Sequence, residues 1–178
     1  MHIRSAQQED RAAVLAVETA AFDTPAESEL IAALLDDPSA RPIVNLLAEA
    51  KSTPIGHILF TGATLVGNGP PVAASILAPL AVVPEMQRRG VGQALIRAGI
   101  AALTALDVEL VFVLGHIAYY PRAGFRPALP FGLRPPYEID PSVADAWMVR
   151  ETRLGLLGTV RGTVHCANAL MHPELWRE

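Results

Sequence analysis

Cysteine, lysine and charged residues in general are scarce in this sequence. It contains one cysteine, Cys166, so an internal disulfide is excluded and a zinc site built from several thiolates cannot form. Lysine occurs once, at Lys51, and the 14 Lys and Arg residues are outnumbered by 18 acidic residues, which leaves a formal net charge of −4. Because general nucleic-acid binders are expected to carry a basic excess, we expect no nucleic-acid partner.

Long apolar runs are scarce as well. The longest, residues 76–83 and 108–114, the latter interrupted by Glu109, are far shorter than the roughly 18 residues that cross a bilayer. Residues 1–10 contain no apolar segment typical of a secretory signal. These absences predict a cytoplasmic protein with no membrane partner. His2, His165 and His172 have no Cys, Asp or Glu partners at ligand spacing, so no metal site is expected.

The chain does have enough apolar material for one core. Of its 178 residues 51% are hydrophobic and 18% charged, a balance unlike that of disordered chains. Apolar residues recur with helical spacing in three segments, 9–22, 27–35 and 89–106. Strand-like runs lie at 3–4, 43–48, 55–65, 74–83, 110–114, 146–151 and 159–165. This order predicts a single mixed α/β domain around a central sheet.

The domain is assigned to residues 1–153, and residues 154–178 are expected to form a C-terminal extension. Its strand-like run, 159–165, is expected to add a strand to the same domain. The alternative is that this strand lies across a homodimer interface, so a homodimer is also expected as a partner state.

A strand-to-helix crossing at residues 80–95 is the most informative part of the sequence. A buried strand ends, a tight loop follows, and a helix opens on Gly90 and Gly92. The first amide groups of a helix lack intrahelical acceptors and carry the positive end of its dipole. Glycine allows a large anion to approach the backbone without a Cβ in the way. The pattern predicts a site for a phosphate-bearing ligand.

The charges around this crossing favour the same interpretation. Between positions 86 and 97 there are three arginines and no acidic residue: Arg88, Arg89 and Arg97. The alternative is that the glycines serve only a tight turn and close helix–sheet packing, with the arginines solvated. Other phosphate loops fit less well, because the Gly-Lys-Ser/Thr of a P-loop is missing and Leu95 stands where a dinucleotide fingerprint needs a small residue.

Two motifs in this region resemble those of one family. Gln87-Arg88-Arg89-Gly90-Val91-Gly92 matches the Gln/Arg-x-x-Gly-x-Gly/Ala motif of the GNAT superfamily, the general-control-related N-acetyltransferases. The preceding segment, 80–84, is similar to the fourth strand of that family. Downstream, the segment from Tyr120 to Phe125 resembles its Tyr-x-x-x-Gly-Phe motif, and 111–128 resembles a bacterial subgroup of small acetyltransferases. The resemblance spans roughly residues 1–150.

The resemblance implies a fold and a co-substrate. The fold is a central mixed, mostly antiparallel sheet that splays between strands 4 and 5 and is flanked by helices. The co-substrate is acetyl-CoA, with its pantetheine arm along strand 4 and its diphosphate on the helix that follows. The implied contacts are Ala81, Val82 and Val83 for pantetheine, and Arg88, Arg89, Gly90, Val91, Gly92 and Gln93 for the diphosphate.

Pro79 and Val113 bear on this assignment in opposite directions. Proline donates no ladder hydrogen bond and is found at strand edges or bulges, so Pro79 fits the splayed strand, although it could also merely end the strand. Val113 stands where many family members carry an asparagine, and the helix expected after strand 5 looks short. The resemblance therefore predicts no contact from an asparagine side chain at position 113.

The resemblance also implies catalytic roles. Tyr120 occupies the position of the general acid that protonates the leaving thiolate, with an aromatic packing role as the alternative. His116, just beyond strand 5, is the predicted general base, with a hydrogen-bonded structural role as the alternative. His57 and Glu85 are weaker candidates for the base, and ordered water would need no dedicated side chain.

The predicted function is therefore N-acetyl transfer to a primary amine of a small molecule or protein, by direct attack in a ternary complex. Substrate choice is expected from segments 21–29 and 127–145. The first contains Asp23, Glu27 and Glu29, which could attract a cationic amine or simply form a solvated loop. Two alternatives remain: a non-catalytic acyl-CoA sensor on the same fold, and a structural domain that binds no ligand.

Overall fold

The computed structural model describes residues 1–177, which contain three α-helices and nine β-strands. The helices are α1 (Arg11–Ala21), α2 (Ala26–Asp36) and α3 (Val91–Ala105). The strands are β1 (His2–Ser5), β2 (Val44–Ala50), β3 (Thr53–Val66), β4 (Ala73–Val82), β5 (Leu110–Leu114), β6 (Arg126–Pro127), β7 (Leu133–Arg134), β8 (Trp147–Glu151) and β9 (Gly162–His165). All three helices and the longer strands lie where the apolar spacing predicts them. No helix within residues 1–177 has the length and hydropathy needed to cross a bilayer.

All nine strands form one sheet. Its main order is β1-β2-β3-β4-β5-β8-β6, and β9 pairs with the far end of β3 and with β7. Neighbouring strands are antiparallel except β4 with β5 and β7 with β9, which are parallel. The mixed, mostly antiparallel sheet is therefore confirmed. The two-residue strands β6 and β7 are not predicted by the sequence, since two residues carry no periodicity.

The helices cover both faces of the sheet. Successive residues of a strand point to opposite faces, so neighbouring residues in the middle of β3 pack on different sides of the sheet. On the first face Leu59 packs in the core that contains Ile31 and Leu34 of α2. On the second face Ile58 and Phe60 pack in the core that contains Leu95 and Ile96 of α3. Each face of the sheet therefore has its own hydrophobic core.

The strands β4 and β5 separate after three residue pairs. Pairing runs from Ala74 with Leu110 to Ile76 with Phe112, and beyond it the second half of β4 has β3 as its neighbour. The β3–β4 register shifts opposite residues 77–80, so Pro79 lies in a bulge rather than at the end of its strand. This is the splay that the resemblance implies, and it opens a gap through the sheet.

The C-terminal residues pack on the same core. β9 adds to the edge of β3 of its own chain, from Thr64 opposite His165. Trp176 meets the ring of Trp147 edge-on, with centroids 5.7 Å apart, and its indole N–H donates to the Leu170 carbonyl at 2.9 Å. The tail, residues 166–177, thus contacts β8 through an aromatic pair, and the hydrogen bond fixes Trp176 within the tail itself.

Candidate active site

A cavity of about 740 Å³ lies where β4 and β5 separate, and it extends to the first turn of α3. Leu77, Leu80 and Val82 of β4 form one wall, and Val113 of β5 forms another. The loop after β5 closes the cavity on a third side. A space of this size, apolar with a few polar groups, is typical of a small-molecule site.

The first turn of α3 presents three free backbone donors to this cavity. Gly90 precedes the helix with a left-handed φ of 83°, and the first intrahelical bond runs from the Ala94 amide to the Gly90 carbonyl at 3.0 Å. The N–H groups of Val91, Gly92 and Gln93 therefore have no intrahelical acceptor, and no side chain caps the helix. All three residues line the cavity. Such a helix end attracts an anion.

Glycine is required at positions 90 and 92 of this turn for different structural reasons. A Cβ at Gly90 would meet open space, so the requirement there is the positive φ. A Cβ at Gly92 would collide with the hydroxyl oxygen of Tyr119. The Tyr119 phenol therefore lies directly over the start of α3, and burial raises its pKa. Tyr119 also lines the cavity.

Six of the nine predicted cofactor contacts line the cavity: Val82, Arg88, Gly90, Val91, Gly92 and Gln93. The other three lie elsewhere. Ala81 points to the opposite face of β4, paired with His57, and is only 1% exposed. The Val83 amide donates to the Ile55 carbonyl at 3.0 Å, and Arg89 is exposed outside the cavity wall. All nine cofactor contacts stay predictions.

Four arginines surround a second cavity, of about 650 Å³, that shares Gln93 and Arg122 with the first. They are Arg97, Arg122, Arg126 and Arg150. The one acidic residue in its described wall is Glu151, which accepts hydrogen bonds from the Leu156 and Leu157 amides at 2.9 Å. These bonds lower the pKa of Glu151. The sequence alone does not predict this cluster, because only one of the four arginines, Arg97, lies near the glycine motif.

Tyr120 lines the first cavity from the loop after β5. Its ring packs on Gly115, where a Cβ would collide with it, and meets Phe125 edge-on with centroids 5.8 Å apart. Its hydroxyl makes no hydrogen bond to any residue of the chain from 1 to 177, and burial raises its pKa well above 10.0. The ring of Tyr120 therefore packs against its neighbours, while its hydroxyl retains a proton for donation.

His116 lines the same cavity from an exposed position, and its Nδ1 accepts a hydrogen bond from the Ala118 amide at 3.3 Å. The weaker base candidates lie away from the cavity wall. Glu85 is exposed, and His57 is completely buried.

Val113 lines the cavity at the position of the family's asparagine, and only a four-residue 3-10 turn, Tyr120–Ala123, follows β5 where the family has a helix.

A buried polar chain, not predicted by the sequence, lies on the α1 side of the sheet. Glu18 Oε1 is 2.6 Å from His57 Nδ1, and His57 Nε2 is 2.7 Å from Asn45 Oδ1. Glu18 and His57 are both 0% exposed, and burial raises the pKa of the Glu18 carboxyl. Within residues 1–177 no group of three or more His, Cys, Asp or Glu is arranged to hold a metal ion.

Comparison with known proteins assigns the family. Residues 8–125 match the model of the acetyltransferase (GNAT) family. The chain is also 44% identical over 160 residues to the uncharacterized N-acetyltransferase YjhQ of Escherichia coli (strain K12), covering 89% of this chain and 88% of that one. The chain belongs to the GNAT family. The assignment of the enzyme class as an N-acetyltransferase is thereby confirmed.

Solved GNAT structures share the whole fold. The GNAT acetyltransferase YhbS of Escherichia coli, in complex with CoA, superimposes with a TM-score of 0.85 at 25% identity, over 96% of this chain and 92% of that one. A GNAT acetyltransferase of Brucella melitensis in complex with acetyl-CoA gives a TM-score of 0.73 at 26% identity, over 95% and 97%. The similarity extends through the C-terminal residues, which lie beyond the matched family model.

Proposed function

We propose that this GNAT protein transfers the acetyl group of acetyl-CoA to a primary amine by direct attack in a ternary complex, with Tyr120 as general acid. One observation carries the proposal: the residues with free amides at the start of α3 and Tyr120, whose hydroxyl is unbonded within residues 1–177, line the same cavity. A diphosphate bound by these amides would leave the thioester of acetyl-CoA within the cavity that Tyr120 lines.

The described residues fit this co-substrate. The amides of Val91, Gly92 and Gln93 bind the diphosphate, with Arg88 beside them at the cavity wall. The edge of β4 that turns away from β5 offers backbone groups to the pantetheine amides. The second cavity, which four arginines surround and which we call the arginine cavity, adjoins the diphosphate site. Its positive charge suits the 3′-phosphate of the adenosine. Acetyl-CoA supplies the acetyl group as a thioester.

The side chains then have defined proton roles. The neutral amine nitrogen attacks the acetyl carbon, so that a C–N bond forms and the C–S bond breaks. Tyr120 donates its proton to the leaving thiolate and is later reprotonated from solvent. Its raised pKa keeps the phenol protonated at neutral pH. His116 takes the proton lost by the amine, and its Nδ1 must first release the Ala118 amide.

The test uses the full chain and two tyrosine variants. Acetyl-CoA binding is measured by calorimetry, and turnover by release of free thiol with a panel of amines. Tyr120→Phe is expected to bind acetyl-CoA like the wild type while kcat falls about 100-fold, in the range of general acid catalysis. The matched variant Tyr119→Phe is expected to change the KM for acetyl-CoA rather than kcat.

Three results would contradict the proposal. Absence of calorimetric heat would exclude acetyl-CoA as the ligand. Binding without turnover of any amine would indicate an acyl-CoA sensor instead of an enzyme. An unchanged kcat in Tyr120→Phe would exclude that phenol as the general acid.

A further inference from the structure

A smaller pocket, distinct from both cavities described above, lies on the face of the sheet opposite α3. It has a volume of about 180 Å³ and is lined by Ile76, Ala78 and Leu114 of the sheet, by Leu30 of α2, and by Leu170 and Trp176 of the tail. All of these side chains are apolar. The position behind the sheet, next to α2, is where the gap between β4 and β5 emerges.

The two spaces meet at this gap. Leu77, Ala78 and Leu114 line both the active-site cavity and the smaller pocket, and so does Glu27. Ile76 and Phe112 form the last β4–β5 pair, so the shared strand residues are those immediately past it. A group in the smaller pocket is thus adjacent to the space in which the proposed thioester lies, but on the opposite face of the sheet.

Glu27 is the single acidic residue in the described walls of either space. It is half-buried, and its Oε2 accepts a hydrogen bond from Thr24 Oγ1 at 2.9 Å. Its Oε1 has no hydrogen-bond donor among residues 1–177. An acid in the first turn of a helix is favourable in itself, but Glu29 shares that turn and lines neither space. Position, rather than the helix dipole alone, distinguishes Glu27.

We propose that this pocket binds the acceptor, and that the acceptor is a small primary amine carrying one compact apolar group. The inference rests on the proposed function. The amine enters as an ammonium that pairs with the Glu27 carboxylate at the gap, and the apolar group fills the pocket behind it. Loss of one proton to solvent then gives the neutral amine that attacks the acetyl carbon. An apolar cavity of about 150 Å³ accommodates benzene, so 180 Å³ suits a phenyl ring or a branched alkyl chain.

The tail supplies part of the specificity. Leu170, Leu175 and Trp176 close the pocket from a segment well beyond residue 125, where the family model ends. Trp176 is held by Trp147 and by the Leu170 carbonyl, so the pocket wall is pre-formed. Leu175 is 40% exposed, and its substitution therefore tests the pocket without opening the core.

The experiment compares 2-phenylethylamine and 3-methylbutylamine with ethanolamine, spermidine and a peptide with a free, polar first residue. The values of kcat/KM are measured by thiol release. The apolar amines are expected to exceed the others by at least about tenfold. Calorimetry with 2-phenylethylamine and no acetyl-CoA gives a readout independent of turnover. Higher kcat/KM for a hydrophilic amine or for the peptide would overturn the inference and leave the proposed function intact.

Two matched pairs of variants locate the site. Glu27→Gln is expected to raise the KM for 2-phenylethylamine about tenfold and to weaken its calorimetric binding equally, while Glu29→Gln behaves like the wild type. Leu175→Ala is expected to raise that KM about threefold, whereas Leu129→Ala, at 38% exposure and outside the pocket, is not. Equal effects within either pair would overturn the pocket assignment. Thiol release with none of the amines would overturn the proposed function together with this inference.

Discussion

Glu18 and His57 form a buried pair, with Oε1 and Nδ1 2.6 Å apart and neither side chain exposed. The pair joins α1 to β3, and His57 continues the chain to Asn45 of β2 at 2.7 Å. To donate to Asn45 and to bond Glu18, the pair must hold two protons, either both on the imidazole or one on each residue. In both arrangements the pair has no net charge, which suits its complete burial.

The first prediction concerns the pH dependence of this pair. Burial raises the pKa of Glu18 above 4.5, so the folded state binds a proton there more tightly than the unfolded chain does. Stability from this group is therefore complete below pH 4.5 and is lost as the pH rises through the folded pKa. Glu18→Gln removes this dependence, so the difference in unfolding free energy between wild type and variant is expected to shrink as the pH rises.

Urea unfolding at several pH values between about 4.5 and 8 measures this difference. Glu18→Ala is expected to cost about 3 kcal/mol or more, because it leaves the imidazole buried without its partner. The exposed Glu29→Gln serves as the control and is expected to show no pH-dependent difference. A difference that grows with pH would contradict the direction given for the Glu18 pKa.

The second prediction follows from the contact between Gly92 and Tyr119. Gly92→Ala is expected to weaken acetyl-CoA binding at least about tenfold, because the new methyl group displaces the Tyr119 phenol at the free amides of α3. The next Tyr119 atom, Cζ, would lie 3.4 Å from that methyl. Adding Tyr119→Phe should therefore restore part of the affinity.

A double-mutant cycle measured by calorimetry checks this expectation. Tyr119→Phe alone is the reference for the loss of the hydroxyl. Strictly additive losses in the double variant would mean that the methyl group disturbs the helix turn by some other route.

The third prediction concerns the four arginines around the second cavity. Arg126→Ala is expected to weaken CoA binding about tenfold and to leave the binding of 3′-dephospho-CoA almost unchanged, because the missing phosphate is the proposed partner. Arg134 is also exposed but lies outside this cavity, so Arg134→Ala is the matched control. Equal losses for both ligands would place the 3′-phosphate elsewhere.

The fourth prediction concerns Tyr120 and alkaline pH. Burial raises its pKa above the ordinary 10.0, and the acid role requires the protonated phenol. The value of kcat is therefore expected to stay level from about pH 8 to 9.5, with no loss from phenol ionisation. Steady-state rates at saturating substrates measure this. A decline centred near pH 9 that disappears in Tyr120→Phe would show a lowered pKa instead.

Much of the fold can be predicted from the sequence because its signals are local. The bounds of β5 are those that the apolar run 110–114 predicts, and α3 lies within the segment 89–106. The proposed diphosphate site is equally local, since Gly90 and Gly92 lie within one helical turn. Such features depend on spacing along the chain, which the sequence displays directly.

The remaining features depend on residues that are distant in the chain. Glu18 and His57 are 39 residues apart, and nothing in either local segment indicates the other. Glu18 continues the buried stripe of Val14 and Val17 on α1, where a charged residue is unusual, and that was the available signal. The arginine cavity likewise draws on positions from Arg97 to Arg150, which only the folded sheet brings together.

The separation of β4 and β5 has a consequence for the order of events. Because the gap opens on both faces, the proposed donor site is entered from the α3 side and the proposed acceptor pocket from the α2 side. Neither ligand then obstructs the other, so each can arrive first and the acetylated amine can depart while CoA remains bound. A steady-state scheme with random addition is the natural outcome of such a two-sided passage.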